Sequence, residues 1–430
     1  MMFEKYDAYK DSGVEWLGQL PENWDLLPNK HIFKLKKNLV GKRSKEYELL
    51  SLTLNGVIKR DMENPEGKFP AEFDTYQEVK SGDFIFCHFD VEETPRTVGL
   101  SRFDGMITGA YTVYQINAEK FCPEFLYYFY LNLDTGKRLK PLYKGLRNTI
   151  GKDIFGEFKT FIPNYSEQVK ISNFLDQKTI EIDQAIAIKE QQIALLNERK
   201  KIVIQKAVTQ GLDPNVQMKD SGVEWIGEIP EHWEILPLTK YSTRVDYRGK
   251  TPEKVEEGRL LVTTRNIKNG ILDYEISKEY IKESQYKEVM SRGIPKKGDI
   301  LFTMEAPLGH SAVVDREDIA IAQRIIKFRL DSERLNSYFI NYYFQTDIFQ
   351  NYLYGLGTGS TALGIKASKL GLLKLIAPNL YEQEKIVAFL ITEEDKFNSA
   401  FELLNQEISK LKEYKTTLIN DAVTGKIKVA

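Results

Sequence analysis

The sequence predicts an α+β protein: two α/β-mixed domains in a pseudo-two-fold arrangement, separated by two long helices that pair as an antiparallel coiled coil. Three features predict it. Lys10–Pro28 recurs nearly unchanged as Lys219–Pro237, an offset of 209 in a chain of 430 residues. A second repeat, at offset 215, returns Pro163-Asn164, Gln168, Lys170-Ile171 and Phe174-Leu175 as Pro378-Asn379, Gln383, Lys385-Ile386 and Phe389-Leu390, and runs ungapped to Ala207-Val208-Thr209 and Ala422-Val423-Thr424. Between the repeats, residues 29–162 and 238–377 diverge; they count 134 and 140, differing by the same 6 that separates the offsets. Such self-similarity marks one structural unit present twice.

The opening segments carry Trp16 and Trp24, then Trp225 and Trp233. Two readings stand for these rings: staples that pin each segment to its own domain, or docking points for partner subunits. Within the diverged blocks, Leu49–Thr53 with Asn55-Gly56 matches Leu260–Thr264 with Asn269-Gly270, a strand, a turn and a strand. Lys80-Ser81-Gly82-Asp83 before Phe84-Ile85-Phe86 matches Lys296-Lys297-Gly298-Asp299 before Ile300-Leu301-Phe302, a Gly-Asp turn launching a buried strand. Phe125–Tyr130 and Phe339–Phe344 read as one equivalent helix.

From Ser166 to Thr209 there is no proline or glycine, and Ile182, Ile186, Ile193, Leu196, Val203 and Ala207 keep a heptad-like seam. Phe397, Phe401, Ile408, Leu411, Leu418 and Ala422 repeat it at the same phase, with Lys189, Lys200 and Lys415 as polar intrusions. The first helix is acidic early (Asp176, Glu181, Asp183) and basic late (Arg199, Lys200, Lys201, Lys206); the second runs from Glu393, Glu394 and Asp395 to Lys410, Lys412 and Lys415. Antiparallel pairing sets each basic end beside an acidic start and opposes the helix dipoles. The expected segments are 1–160, 161–212, 213–375 and 376–430.

Net charge is −2 and pI near 6.2, so any polyanion-binding surface must be local. Two cysteines, Cys87 and Cys122, form no disulfide framework and fit a reducing cytoplasm as small apolar residues. A start without an apolar signal core, and no apolar run of about 18 residues, predict a soluble, untargeted chain.

One local surface is Gly136–Lys152, where Lys137, Arg138, Lys140, Lys144, Arg147 and Lys152 occur with no acid, along with Asn148. Such a stretch neutralises phosphates. Its counterpart, Tyr354–Lys366, is glycine-rich and places Ser360, Thr361 and Lys366 where backbone amides approach a phosphate. Base edges are read by forked donors and acceptors. Candidates near predicted strand ends are Lys59, Arg60, His88, Arg96 and Arg102 in the first block, and Arg265, Asn266, His310, Gln323 and Arg324 in the second. No methyltransferase loop, nuclease constellation or metal-ligand spacing is found, so no catalytic residue and no metal site are assigned.

Taken together, Gly-Val-Glu-Trp-Leu/Ile-Gly with Pro-Glu-x-Trp in the opening segments, Pro-x3-Glu-Gln-x-Lys-Ile at both helix starts, and Ala-Val-Thr near both helix ends resemble the specificity subunit of type I restriction-modification enzymes. Ala306-Pro307-Leu308-Gly309 and Gly359–Lys366 resemble stretches of that family's recognition domains. The resemblance covers essentially the whole chain and implies two target recognition domains, each reading part of a split, asymmetric double-stranded DNA sequence. It implies two methyltransferase subunits, which bind S-adenosylmethionine, and motor-nuclease subunits, which use ATP and Mg; none of these cofactors is expected on this chain. A stand-alone DNA-binding regulator or scaffold, and a self-contained methyltransferase or nuclease, remain the alternatives.

Overall fold

A four-stranded antiparallel sheet organises each diverged block, and the strand order is the same in both. In the first, β1 (Phe33–Lys36), β2 (Phe84–Phe86), β3 (Val98–Leu100) and β4 (Thr112–Ile116) lie in the order β1-β4-β2-β3. The Gly-Asp turn forms as predicted: Gly82 takes φ +91°, the Asp83 carboxylate accepts from the Lys80 amide at 2.7 Å, and β2 follows fully buried. Asn55-Gly56 turns Leu50–Thr53 into Gly56–Lys59 as an antiparallel hairpin. Helix α1 (Pro123–Thr135) covers the sheet, with Phe33, Phe86, Tyr114, Tyr130 and Phe155 meeting at centroid distances of 4.8–5.9 Å. Burying each such ring contributes roughly 1.5–3 kcal/mol. The first long helix, α2, spans Tyr165–Gln210.

In the second block, β5 (Ser242–Asp246), β6 (Ile300–Met304), β7 (Leu308–Val313) and β8 (Ile325–Leu330) repeat the order as β5-β8-β6-β7, under helix α3 (Ser337–Phe344). The likeness ends there. A further sheet joins Lys254–Val255, Tyr280–Ile281, Arg259–Val262 and Ile319–Ile321, with one parallel pair. The expected strand-turn-strand at 260–270 is broken by a 3-10 turn at Thr264–Asn266, and Asn269-Gly270 turns a separate two-residue-stranded hairpin. The second long helix, α4, spans Leu380–Val423.

The structure describes residues 3–13, 18–61, 72–247, 252–359 and 363–429 of this computed structural model. The chain divides into Met1–Lys189 with Asn405–Ala430, and Glu190–Leu404. Each unit thus takes one part of both long helices, where sequence reading set the helices apart as segments of their own. Inside the first unit, Lys415 donates to both oxygens of Asp183 at 2.7 Å and Lys189 to Glu407 at 2.5 Å, so numbering rises on one helix as it falls on the other. Inside the second, Lys200 meets Glu394 at 2.9 Å. The three polar intrusions in the seam therefore each find a carboxylate on the opposite helix. Ile182, Ile186, Ala207, Phe397, Ile408, Leu418 and Ala422 are buried, and the other seam residues are half-buried.

The repeated residues build one device twice. Asn164 and Asn379 cap the long helices, each accepting from the amide three residues on at 3.0 Å. That amide belongs to Glu167 or Glu382, whose carboxylate accepts from Trp24 Nε1 at 3.3 Å or Trp233 Nε1 at 3.2 Å. Both indoles are completely buried. Gly425 (φ +71°) ends α4 against Trp24, and Gly211 (φ +78°) follows α2 against Trp233. At Gly425 a Cβ would lie 2.4 Å from Pro21, so a side chain is excluded there on both counts. Lys428 then donates to the Glu4 carbonyl at 2.7 Å, joining the helix exit to the first opening segment as Gly211 joins covalently to the second.

The docking assignment is corrected accordingly. Trp24 and Trp233, buried and hydrogen-bonded in the frame, present no surface to a partner. Trp225 is half-buried, stacked on Tyr352 at 4.1 Å and 5°. Trp16 lies outside the described residues.

Candidate nucleic-acid interface

In the second domain, sequence candidates far apart in the chain converge at one edge. Asn266 is buried because it closes a capping box: its Oδ1 accepts from Thr263 N at 2.9 Å and Oγ1 at 3.0 Å, and its amide donates to Asp273 O and Ser277 O. Asn266 is thereby removed from the base-reading set; all its polar atoms serve the turn. The consequence is that Arg265, beside it, is exposed. Arg265 lines a cavity of about 230 Å³ with Thr263, Thr264, Gln323 and Arg324. Arg324 is exposed in a left-handed conformation, φ +76°, and its Nε lies 3.2 Å from Glu305. A non-glycine residue held there costs free energy that the surrounding structure must supply, a feature concentrated at functional sites.

The glycine-rich loop ends on the same edge. Gly364 and Thr358 exchange hydrogen bonds at 2.8 and 3.0 Å, Gly364 bridges Glu305, and the Ile365 amide donates to Met304 O at 3.0 Å. Lys366 is exposed, while Ser360 and Thr361 lie outside the described residues. His310 sits elsewhere, half-buried, in a cavity of about 360 Å³ lined by Lys200, Lys201, Gln345 and Gln350. Its Nδ1 donates to Ile267 O at 3.0 Å, which leaves Nε2 as an acceptor in the neutral ring. Lys200 and Lys201, on α2, were not among the sequence candidates; only the fold sets them beside His310.

The first domain rearranges the expected basic run. Acids absent from Gly136–Lys152 arrive from elsewhere: Lys137 pairs with Asp134 at 3.0 Å, Lys140 with Glu92 at 2.6 Å, Arg147 with Asp90 at 2.5 Å, and Asn148 donates to Glu93 at 3.0 Å. Arg138 donates to Asn420 at 2.6 Å, and Lys137 also donates to Thr94 O. Arg96 is mostly buried against Asp134, which also accepts from Thr97 N and Oγ1. These contacts make Arg96, Lys137 and Arg138 parts of the framework, a correction to their place among the DNA contacts. The Arg147 guanidinium beside Asp90 holds that carboxyl below its ordinary range.

His88 is likewise corrected. It is buried between Phe86 and Phe155 at 5.6 and 4.8 Å, and burial, with Lys152 adding to it, pushes its imidazole down to about 4. The ring is neutral at pH 7 and its Nε2 finds no partner among the described residues. Lys59, Arg102 and Lys144 remain exposed, as does Lys152; Arg60 is half-buried. Lys59 lies 5.7 Å from the Phe103 ring, next in the chain to Arg102. Among the described residues no group of three His, Cys, Asp or Glu is placed to hold a metal, and no helix is long and apolar enough to cross a membrane.

Residues 247–413 match the family model of the type I restriction modification DNA specificity domain. The chain is 26% identical over 290 residues to the type I restriction enzyme MjaVIII specificity subunit of Methanocaldococcus jannaschii, a match spanning 65% of this chain and 64% of that one. It is 24% identical over 445 residues to a protein of that organism named as the MjaX specificity subunit, covering 100% of this chain and 99% of the other. Among solved structures, a chain described under complex assembly and conformational transition of the type I R-M system aligns with TM-score 0.68 and 14% identity over 95% of this chain and 99% of that one. The HsdS subunit from Thermoanaerobacter tengcongensis aligns with TM-score 0.53 and 15% identity, over 95% and 98%. These two share the fold.

Proposed function

We infer that this chain, one of the specificity subunits of type I restriction-modification enzymes, selects the DNA on which such an enzyme acts. Each domain reads one half of a bipartite, asymmetric target, the first through exposed cations that include Lys59, Arg102 and Lys144, the second through Arg265, Gln323, Arg324 and Lys366. The repeated frame recruits two methyltransferase subunits carrying S-adenosylmethionine, and motor-nuclease subunits using ATP and Mg join that assembly in the cytoplasm; this chain performs no catalysis and binds none of those cofactors. The observation that carries the reading is the identical frame, Trp24-Glu167-Gly425 and Trp233-Glu382-Gly211, set beneath two blocks with the same central sheet but different peripheral elements. A frame built twice with unlike inserts suits one scaffold presenting two recognition surfaces. Single-molecule sequencing of modified bases in the host, with and without this gene, tests it: a split methylated motif should vanish with the gene, and an unchanged methylome rules the reading out.

At the second half-site, Arg265→Ala is expected to relax discrimination at one base pair by about 1–3 kcal/mol, while Lys366→Ala weakens all sequences alike and flattens the salt dependence. Competition binding against single-base variants of the motif separates the two. In the same proposal the helices form an antiparallel coiled coil that spaces the two domains in a pseudo-two-fold arrangement. Its seam from Ile182 to Ala207 measures about 39 Å, comparable with the roughly 34–36 Å of one duplex turn. The cross-helix pairs Asp183–Lys415, Lys189–Glu407 and Lys200–Glu394 support it. Four residues inserted between Ile186 and Leu196 add about 6 Å, and the unread gap should lengthen by a base pair or two in methylation mapping. An unchanged gap would remove the spacer role.

A further inference from the structure

We propose that Leu146 is an apolar wedge that enters the base stack of the half-site read by the first domain. The inference rests on the function proposed above and adds a mode of contact to it. Leu146 is 105% exposed, whereas the next most exposed large apolar side chain among the described residues, Tyr381, stands at 66%. It is the one such residue among those described whose side chain touches essentially nothing of its own fold.

The backbone that carries it is closed and braced. Lys144 and Thr149 exchange both hydrogen bonds, at 2.9 and 3.0 Å, and Asn148 N donates to Gly145 O at 3.3 Å. Gly145 at φ +70° and Asn148 at φ +42° give the sharp reversal that puts residue 146 at the tip. At the root, Arg147 grips Asp90 through Nε at 3.0 Å and Nη2 at 2.5 Å, with its guanidinium carbon 5.2 Å from the Phe89 ring. Asn148 holds Glu93, Asp90 N donates to Arg147 O at 2.7 Å, and Ile150 N donates to His88 O at 2.8 Å. The acids of this region are thus engaged at the root. Lys144, which closes the hairpin two residues before Leu146, is exposed and has no ion pair among the described residues, and the same holds for Lys152 beyond the root.

An apolar apex with an unpaired cation at the hairpin's neck matches an opened base step next to a phosphate. Inserted side chains of this type, leucine among them, unstack one step and kink the duplex by about 20–90°. A protein partner fits less well, since apolar docking surfaces are patches of several residues, and the neighbours of Leu146 are Lys144, Gly145, Arg147 and Asn148.

The test uses the full chain assembled with its methyltransferase subunits, on duplexes carrying the mapped motif. 2-Aminopurine replaces each adenine, and pyrrolocytosine each cytosine, of the first half-site in turn. Besides the methylated base, which a methyltransferase subunit itself turns out of the stack and which is therefore left out of the readout, the wild-type complex should raise the fluorescence at one step. Leu146→Ala should abolish that rise and lower specific affinity about tenfold, with non-specific affinity within about twofold of wild type. Leu146→Met should keep the rise. Because the side chain is exposed, the variants should melt like wild type. Specific binding with no rise at any position, or a rise undiminished in Leu146→Ala, overturns the wedge. Weaker assembly with the methyltransferase subunits at unchanged DNA affinity also overturns it, in favour of a protein contact. If the wild-type complex shows no sequence preference at all, the proposed function fails first and the wedge falls with it.

Discussion

Under the proposed function, replacing residues 238–377 with the equivalent block of a type I specificity subunit is expected to change one half of the methylated motif completely and leave the other half as it was. Methylation of the original motif should drop to background, because specific binding typically exceeds non-specific binding by about 10³–10⁷. The junctions make the exchange feasible. Glu234–Pro237 pairs with Lys374–Ala377 next to the block's ends, as Asp25–Pro28 pairs with Lys159–Ile162 in the first domain. Phe339 meets the buried Trp233 edge-on at 6.1 Å, and Phe125 meets Trp24 at 6.2 Å. The frame's glutamine seats the helix start in each case: Gln383 accepts from Asn336 N at 2.8 Å, Gln168 from Cys122 N at 2.9 Å. A donor block that carries an aromatic at the Phe339 position will find this seat waiting. Methylome sequencing of the exchanged strain reads the result, and a change in both halves would refute independent reading.

The same junctions show which parts of the fold were legible beforehand. Helices α2 and α4 follow from a heptad period, a local property that needs no partner to be seen. The Gly-Asp turns are legible for the same reason, since left-handed glycine and the carboxylate that caps its own turn lie within four residues. Charge neutralisation was not legible. The acid-free run at 136–152 meets Asp90, Glu92 and Glu93 from about fifty residues away, and only the folded chain brings that loop to it. His88 was misplaced because a histidine after a buried strand reads as a strand-end polar residue, whereas aromatic packing draws it inward. Asn266 was misplaced because a capping asparagine and a base-reading asparagine share one chemistry, and only its neighbours' amides decide between them. Leu146 was hidden by its type: a single leucine between glycine and arginine reads as part of a loop, and its exposure emerges only once the hairpin closes.

Asp299→Ala is expected to destabilise the second domain by about 3–5 kcal/mol, the usual cost of stripping the partner from a buried charge. For a unit of this size that corresponds to a fall in midpoint of roughly 6–20 °C. Asp299 is 1% exposed and its carboxylate accepts from Arg329 Nε at 2.7 Å and Nη2 at 2.8 Å, from Lys327 Nζ at 3.1 Å, and from the Lys296 amide at 2.8 Å. Arg329 reaches water, but the Lys327 side chain is only 4% exposed, so the variant strands an ammonium in the core. Burial would raise the Asp299 carboxyl, yet Arg329, the Lys296 amide and Lys327 outweigh it and hold it below its ordinary value. Its contribution is therefore present above the ordinary carboxylate range and lost as pH falls through the depressed value. Burial lowers the Lys327 ammonium even with Asp299 beside it, and without that carboxylate it falls further. The variant should then regain stability as pH rises toward the ordinary lysine range, because its folded state sheds a proton that the unfolded chain still holds. The gap between wild type and variant is thus widest near neutrality and narrows on both sides, which denaturant unfolding at a series of pH values will show. Lys327→Met added to Asp299→Ala removes the stranded charge and should recover most of the loss. A gap that stays constant with pH would mean that Lys327 escapes to water and that the loss is that of the turn contact between the Asp299 carboxylate and the Lys296 amide; a single variant within about 1 kcal/mol of wild type would mean that the fold depends on neither the ion pair nor that contact.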